Sequence, residues 1–233
     1  MALGAALLFN IKLPVNFDSP YKATDIREFW QRWHITLTRF LRDYLYIPLG
    51  GNRHGIWRTY FNIFVVFLLG GIWHGAGWTF VVWGMLHGVA MVVHRIWQRI
   101  GFVMPRWAGW MTTFLFIDIS WVFFRAKEMD DAWKVLKGMF LGPLVLPGSL
   151  HNPLHILQTV GVEFGTYFQS IHAGFRDILW LGLCLAIAFW AKNSIQLTFE
   201  SALDRGKMAF AASLFVVSVV SMQKINEFIY FNF

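Results

Sequence analysis

The chain has one cysteine, Cys184, among 233 residues, so neither a disulfide framework nor a cysteine-based metal cluster can be built from it. Charge is scarce too. Asp, Glu, Lys and Arg make up 14% of the residues while 57% are hydrophobic, against roughly 25% charged in soluble domains. Too few polar side chains remain to cover a water-facing surface of this size, and lipid is the solvent such a balance implies. A Gly-x-Ser-x-Gly elbow, a phosphate-cradling P-loop and a dinucleotide fingerprint are all missing, which removes the sequence grounds for those enzyme classes. So is the ten-residue alternation of a membrane barrel. The net charge of +7 does not point to nucleic acid, because the basic residues fall in loops between apolar segments and not on one soluble face.

Apolar and aromatic residues are what the chain has in quantity. Its 24 phenylalanines and 13 tryptophans suit hydrocarbon and the membrane interface, where indole keeps its N–H wet. Five stretches are nearly charge-free: 59–73, 78–94, 109–124, 178–191 and 208–222. Each falls short of the ~20 residues that span a flat bilayer, so flanking residues must extend them, or the helices tilt or break. Backbone polar groups in lipid are satisfied within helices. The fold expected is therefore all-α: a polytopic membrane protein with five to six membrane helices plus an amphipathic cytoplasmic helix. Residues 1–233 read as a single membrane-embedded region. The apolar start, Met1 to Phe9, lacks a basic n-region and a small-residue cleavage site. It reads as the tail of a longer helix, and the chain as the later part of a larger protein. Residues 22–58 hold seven Lys/Arg, and Arg95, Arg99 and Arg106 have no acid among them, which assigns both segments to the cytoplasm. The loop 125–177, with five bases balanced by five acids, then falls outside.

From Thr24 to Tyr46 the pattern is helical and amphipathic. Ile26, Phe29, Trp30, Trp33, Leu37, Phe40, Leu41 and Tyr44 recur at spacings of three and four, opposite Glu28, Arg32, Arg39, Arg42 and Asp43. Such a helix lies along a membrane surface. Thr24 is the expected N-cap, with Asp25 and Glu28 favouring the positive end of the dipole. Pro48 and Gly50-Gly51-Asn52 supply the stop and turn.

His74 is the most notable placement. It sits in Gly70-Gly71-Ile72-Trp73-His74-Gly75-Ala76-Gly77-Trp78, between two apolar runs, with no charge nearer than Arg58 and Arg95. An ionisable side chain at membrane depth is a functional candidate, although an imidazole bonded to a backbone carbonyl at a helix break is an equal alternative. The glycines let the backbone bend, pack against a neighbour or admit a substrate chain. A neutral imidazole there suits removal of a proton from an attacking hydroxyl. His34 falls at the edge of the apolar stripe, one turn from Trp30 and Thr38, where a histidine is either structural or turned inward. His87 and His94 share a helical face, but no neighbouring carboxylate or cysteine completes a ligand set, and no metal is expected. His54, His151, His155 and His172 read as loop residues. Asp118, inside an apolar stretch, reads as bonded to a neighbouring helix. Arg125 reads as an interfacial residue that snorkels.

Four motifs together resemble one family: Phe9-Asn-Ile-Lys-Leu-Pro-Val-Asn-Phe-Asp-Ser-Pro-Tyr21, Phe29-Trp-Gln-Arg-Trp-His34-Ile-Thr-Leu, Tyr46-Ile-Pro-Leu-Gly-Gly-Asn-Arg53 and Gly71-Ile-Trp-His74-Gly. They are similar to the membrane-bound O-acyltransferases, in the bacterial branch that includes alginate O-acetylation and teichoic acid D-alanyl transfer proteins. Trp121-Val-Phe-Phe-Arg-Ala126 and the ending Glu227 to Phe233 look like that branch as well. The resemblance implies that His74 is the catalytic histidine and that His34 is a second polar residue of the site. It further implies a funnelled membrane centre and a cytoplasmic thioester donor such as acetyl-CoA. No tightly bound cofactor is implied. A separate extracytoplasmic partner would complete acetylation of a polysaccharide, and the location would be the bacterial inner membrane. About the first half of a full member is absent from the chain. On the residues alone, a transporter with a broken helix at 70–77 and a structural membrane subunit remain as rivals.

Overall fold

The computed structural model describes residues 2–148, 151–165, 175–199 and 205–221, which belong to two units, Met1–Ala191 and Lys192–Phe233. The first unit begins with α1 (Ala2–Leu8), an extended stretch and a 3-10 turn at Pro20–Lys22. Two short helices follow, α2 (Ile26–Arg32) and α3 (Ile35–Leu41), then a π-type turn at Arg42–Tyr46. Three long helices come next: α4 (Gly55–His74), α5 (Trp78–Ile100) and α6 (Arg106–Arg125). The segment expected as the loop 125–177 carries α7 (Met129–Leu141), a parallel pair of three-residue strands, β1 (Val145–Pro147) and β2 (Glu163–Gly165), and α8 (His151–Leu154) between them. Helix α9 (Phe175–Trp190) completes the unit. The second unit holds α10 (Ser194–Phe199) and α11 (Arg205–Ser221). His172 and the ending Glu227–Phe233 lie outside the described residues.

Among the described residues, α4, α5 and α6 are the helices long and apolar enough to cross a membrane. Only 39, 28 and 22% of their apolar windows are buried inside the protein, so most of each span presents hydrocarbon outward. That surface is tolerable in lipid and not in water. Flanking residues lengthen the spans as expected. Arg95 and Arg99 lie on the closing turns of α5, where the helix dipole favours cations, and the connection shrinks to residues 101–105. The charge-free stretches 178–191 and 208–222 fall on α9 and α11, helices of 16 and 17 residues. The protein is an all-α, polytopic membrane protein.

Helices α4 and α5 form the tightest pair. A Cβ on Gly71 would strike the Phe80 carbonyl oxygen and lie 2.9 Å from Gly84 Cα, and one on Gly84 would lie 2.6 Å from the Phe67 carbonyl oxygen. The two backbones therefore touch through glycines, and Gly84 and Gly88 supply the small-xxx-small spacing that permits it. Asn62 of α4, fully buried, donates to the carbonyls of Leu49 (3.1 Å) and Gly51 (2.9 Å) and so fastens the Pro48–Gly51 turn to the span.

The amphipathic segment is not one helix. It breaks at Trp33–His34, where His34 adopts a left-handed conformation (φ 44°, ψ 54°). Ile26, Phe29 and Trp30 are buried as the periodicity predicts, but Phe40 and Tyr44, beyond the break, are exposed. The N-cap also differs from expectation. Asp25 caps α2 by accepting from the Glu28 N–H (2.8 Å), while Thr24 donates its N–H and hydroxyl to the Glu28 carboxylate. The exchange resembles a capping box displaced by one residue.

Candidate active site

The break at His34 is held from outside the helices. Ile35 N–H donates to the Asn16 carbonyl (3.0 Å), and Thr36 donates its N–H (2.9 Å) and hydroxyl (2.7 Å) to Asn16 Oδ1. Asp18 N–H bonds the Arg32 carbonyl, and Arg32 Nη1 returns a bond to the Asp18 carbonyl. The extended Asn16–Asp18 segment thus satisfies the first donors of α3 that the break would otherwise leave unpaired. Thr38 Oγ1 bridges back to the Trp30 carbonyl at 3.2 Å. His34 is thereby fixed with its Nδ1 buried and without a partner among the described residues, and its ring centroid lies 6.0 Å from that of Phe17. Burial lowers its pKa from the ordinary value, so the ring is neutral at physiological pH.

His74 is the last residue of α4, immediately before the Gly75–Gly77 break. Its half-buried ring packs in an aromatic pocket against Trp73 (4.8 Å between centroids), Trp83 (5.2 Å) and Phe124 (5.0 Å). A Cβ at position 75 would run into the Phe80 ring, so any other residue there would displace that ring beside the pocket. No direct contact joins His34 to His74, but one aromatic cluster links them: Phe17 flanks His34 and leads through Trp33, Phe29 and Trp30 to Trp83, the ring that flanks His74.

His87 departs from its sequence reading. It is fully buried and bonded on both nitrogens. Trp30 Nε1 donates to His87 Nδ1 (3.2 Å), and His87 Nε2 pairs with Ser120 Oγ (3.1 Å), whose own hydroxyl donates to the Ile117 carbonyl (2.8 Å). These roles require a neutral ring with its proton on Nε2. The chain Trp30–His87–Ser120 clamps α2 onto α5 and α6. His94, two turns along the same face, does have a carboxylate nearby: its Nε2 lies 3.7 Å from Asp25 Oδ1. Among the described residues no cluster of three or more His, Cys, Asp or Glu could hold a metal.

Of the four arginines on the amphipathic segment, Arg32 pairs with Glu28 (2.8 Å) and Arg42 with Asp43 (2.7 Å), while Arg27 and Arg39 are exposed. Asp118 does not bond a neighbouring helix through the described residues. It lines a cleft of about 250 Å³ with Tyr21, Phe114, Trp121 and the α9 residues Leu181, Cys184 and Phe189. Arg125 is exposed at the end of α6. His54 precedes α4, and His151 and His155 open short helical turns remote in sequence from the pocket. Sequence reasoning missed His87, Trp83 and Asn16. The first two were legible only as members of an apolar span, and Asn16 acts across twenty residues of chain.

Comparison with known proteins places the chain in a family. Residues 1–135 match the profile of MBOAT, the membrane-bound O-acyltransferase family. The chain is 45% identical over 242 residues to the peptidoglycan O-acetyltransferase of Helicobacter pylori, covering 100% of the chain and 45% of that protein. It is 45% identical over 253 residues to a probable alginate O-acetylase of Azotobacter vinelandii, covering 100% of the chain and 50% of the relative. Similarity to the teichoic acid D-alanyltransferase of Streptococcus thermophilus is 33% over 107 residues, 42% of the chain and 25% of that protein. The chain thus spans about half the length of the relatives it matches in full. With the profile matched over more than half the chain and relatives 45% identical along all of it, the protein belongs to the membrane-bound O-acyltransferase family.

Proposed function

We propose that this chain carries the catalytic centre of an O-acyltransferase that moves an acetyl group from a cytoplasmic thioester, such as acetyl-CoA, to hydroxyls of an exported polysaccharide. The observation that carries this reading is the placement of His34 and His74, each at a helix break, on one aromatic cluster that runs through Trp30 and Trp83. Acetyl is favoured over D-alanyl because the relatives matching the whole chain at 45% identity are named for O-acetylation, whereas the D-alanyltransferase matches 42% of it. His74 serves as general base, taking the proton of the attacking hydroxyl, and His34 orients the donor or shares the proton. The protein resides in the bacterial inner membrane, and an extracytoplasmic partner completes delivery to the polymer.

The test is acetate released by base from surface polysaccharide of cells carrying the full-length protein with His74→Ala, at membrane abundance matched to wild type. O-acetylation is expected to fall to background, and retained acetylation refutes the assignment. His34→Ala is expected to lower it without removing the protein from the membrane.

A further inference from the structure

Trp83 and Trp30 are both buried, 5% and 4% exposed, yet they differ in one respect. An indole N–H can only donate, and a buried one ordinarily finds an acceptor. Trp30 has its acceptor in His87. The Trp83 Nε1–H is hidden from solvent with no partner among the described residues. Its ring stands nearly perpendicular to that of His74 (85°, centroids 5.2 Å apart) and is wedged against His87 (4.7 Å), Phe124 (5.1 Å) and Trp30 (5.9 Å). His87 is itself pinned at both nitrogens, so the indole rests on a rigid support. Among the described residues His34 Nδ1 is likewise buried without a hydrogen-bond partner. A buried donor kept without an acceptor beside a candidate base needs an explanation in function, because nothing in folding rewards it.

We propose that Trp83 is a catalytic residue whose Nε1–H stabilises the oxyanion formed when an acyl thioester is attacked beside His74. This rests on the acyl-transfer reading above. The acceptor hydroxyl oxygen forms a bond to the thioester carbonyl carbon, and its proton passes to the unprotonated nitrogen of His74. The carbonyl π pair moves onto oxygen, which accepts the Trp83 N–H. When that pair returns, the C–S bond breaks, sulfur leaves with the bonding electrons and takes the proton from His74, giving an ester and a thiol. The donor is oriented before the charge develops, which is the condition under which such a hydrogen bond accelerates a reaction.

Trp83→Phe removes the N–H and keeps a ring in place. In membrane vesicles from cells expressing the full-length protein, with radiolabelled acetyl-CoA as donor and transfer to vesicle-bound polysaccharide as readout, the turnover rate is expected to fall about 100-fold. The KM for acetyl-CoA is expected to stay within about twofold, with Tm unchanged or raised, since an unpaired buried donor is lost. Turnover within threefold of wild type overturns the proposal, and so does a loss matched by a fall in Tm and folded protein. Should Trp83→Phe fail to fold, benzothienylalanine at position 83, which replaces N–H by sulfur at nearly constant shape, is expected to give the same loss, and wild-type turnover there overturns it. His74→Ala run in parallel separates the two ideas: an active His74→Ala removes the acyl-transfer reading, whereas an inactive His74→Ala beside a normal Trp83→Phe removes only this one.

Discussion

The bond between Trp30 and His87 makes a quantitative prediction about what holds the amphipathic segment to the spans. In His87→Leu the side-chain volume is nearly kept, but the Trp30 N–H, 3.2 Å from its acceptor in the native protein, is orphaned. Ser120 is not, because its hydroxyl still reaches the Ile117 carbonyl. In a water-soluble core one such orphan costs about 1–3 kcal/mol. Within a membrane the unfolded reference also finds partners, and coupling between hydrogen-bonded pairs averages about 0.6 kcal/mol with a maximum near 1.7. The membrane value governs here, since His87 lies inside α5. Loss of ring packing against Phe116 adds to the single-mutant effect alone, while packing on Phe67 and Trp83, which also touch Trp30, is kept small in the cycle by leaving a ring at position 30. We therefore expect His87→Leu to cost about 2 kcal/mol and Trp30→Phe somewhat less. The double variant should cost about 1 kcal/mol less than their sum, because it removes donor and acceptor together. Unfolding of the purified full-length protein in mixed micelles, followed by far-UV circular dichroism, measures all four corners of the cycle. Additivity within about 0.3 kcal/mol would refute the idea that this bond couples α2 to α5.

Three other perturbations have defined outcomes. Asn16→Ala removes the acceptor of the Thr36 N–H and hydroxyl and is expected to cost about 1 kcal/mol, as lost N-caps do; Tm in detergent checks it, and no change would place the support of α3 elsewhere. Burial depresses the folded pKa of His34 below its ordinary value of about 6.5, so its contribution to stability is present above that pH and is lost as pH falls towards the folded value. His34→Gln should flatten the acid limb of a Tm–pH curve below about pH 6.5, and an unchanged limb refutes the assignment. Gly71→Ala places a methyl against the Phe80 carbonyl and Gly84 Cα, both backbone, and should lower stability by about 1–3 kcal/mol, measured by Tm, whereas Gly138→Ala, with open space around it, should not.

The membrane helices were legible because absence of charge over fifteen residues or so leaves few alternatives, and the flanks that lengthened them carry helix-compatible arginines. The amphipathic segment was legible in its first half only. Apolar residues at spacings of three and four continue through Trp33 and Leu37, and periodicity is blind to one residue that turns left-handed between two helices. What fixes that residue is Asn16, a contact that no local pattern encodes. His74 stood out because glycines surround it. His87 did not, since its partners, an indole and a hydroxyl, lie 57 and 33 residues away and each reads as an ordinary member of a helix face. Gly84 and Gly88 passed as ordinary members of an apolar run, since nothing in the sequence says which span they meet.

The left-handed backbone of His34 also sets which substitutions the position can accept. At φ 44° a β-branched residue is excluded by its own side chain, whatever the chemistry asks, while Asn, Asp and Gly join His among the residues that enter this region with least penalty. A saturation library at position 34 is thus sorted twice, first by backbone geometry and then by the ability to serve the acyl transfer. Variants such as Val and Ile should drop out at the level of folded protein, Gly should fold yet be inactive, and Asn should be the informative survivor, since it fits the bend and still offers a polar atom to the site.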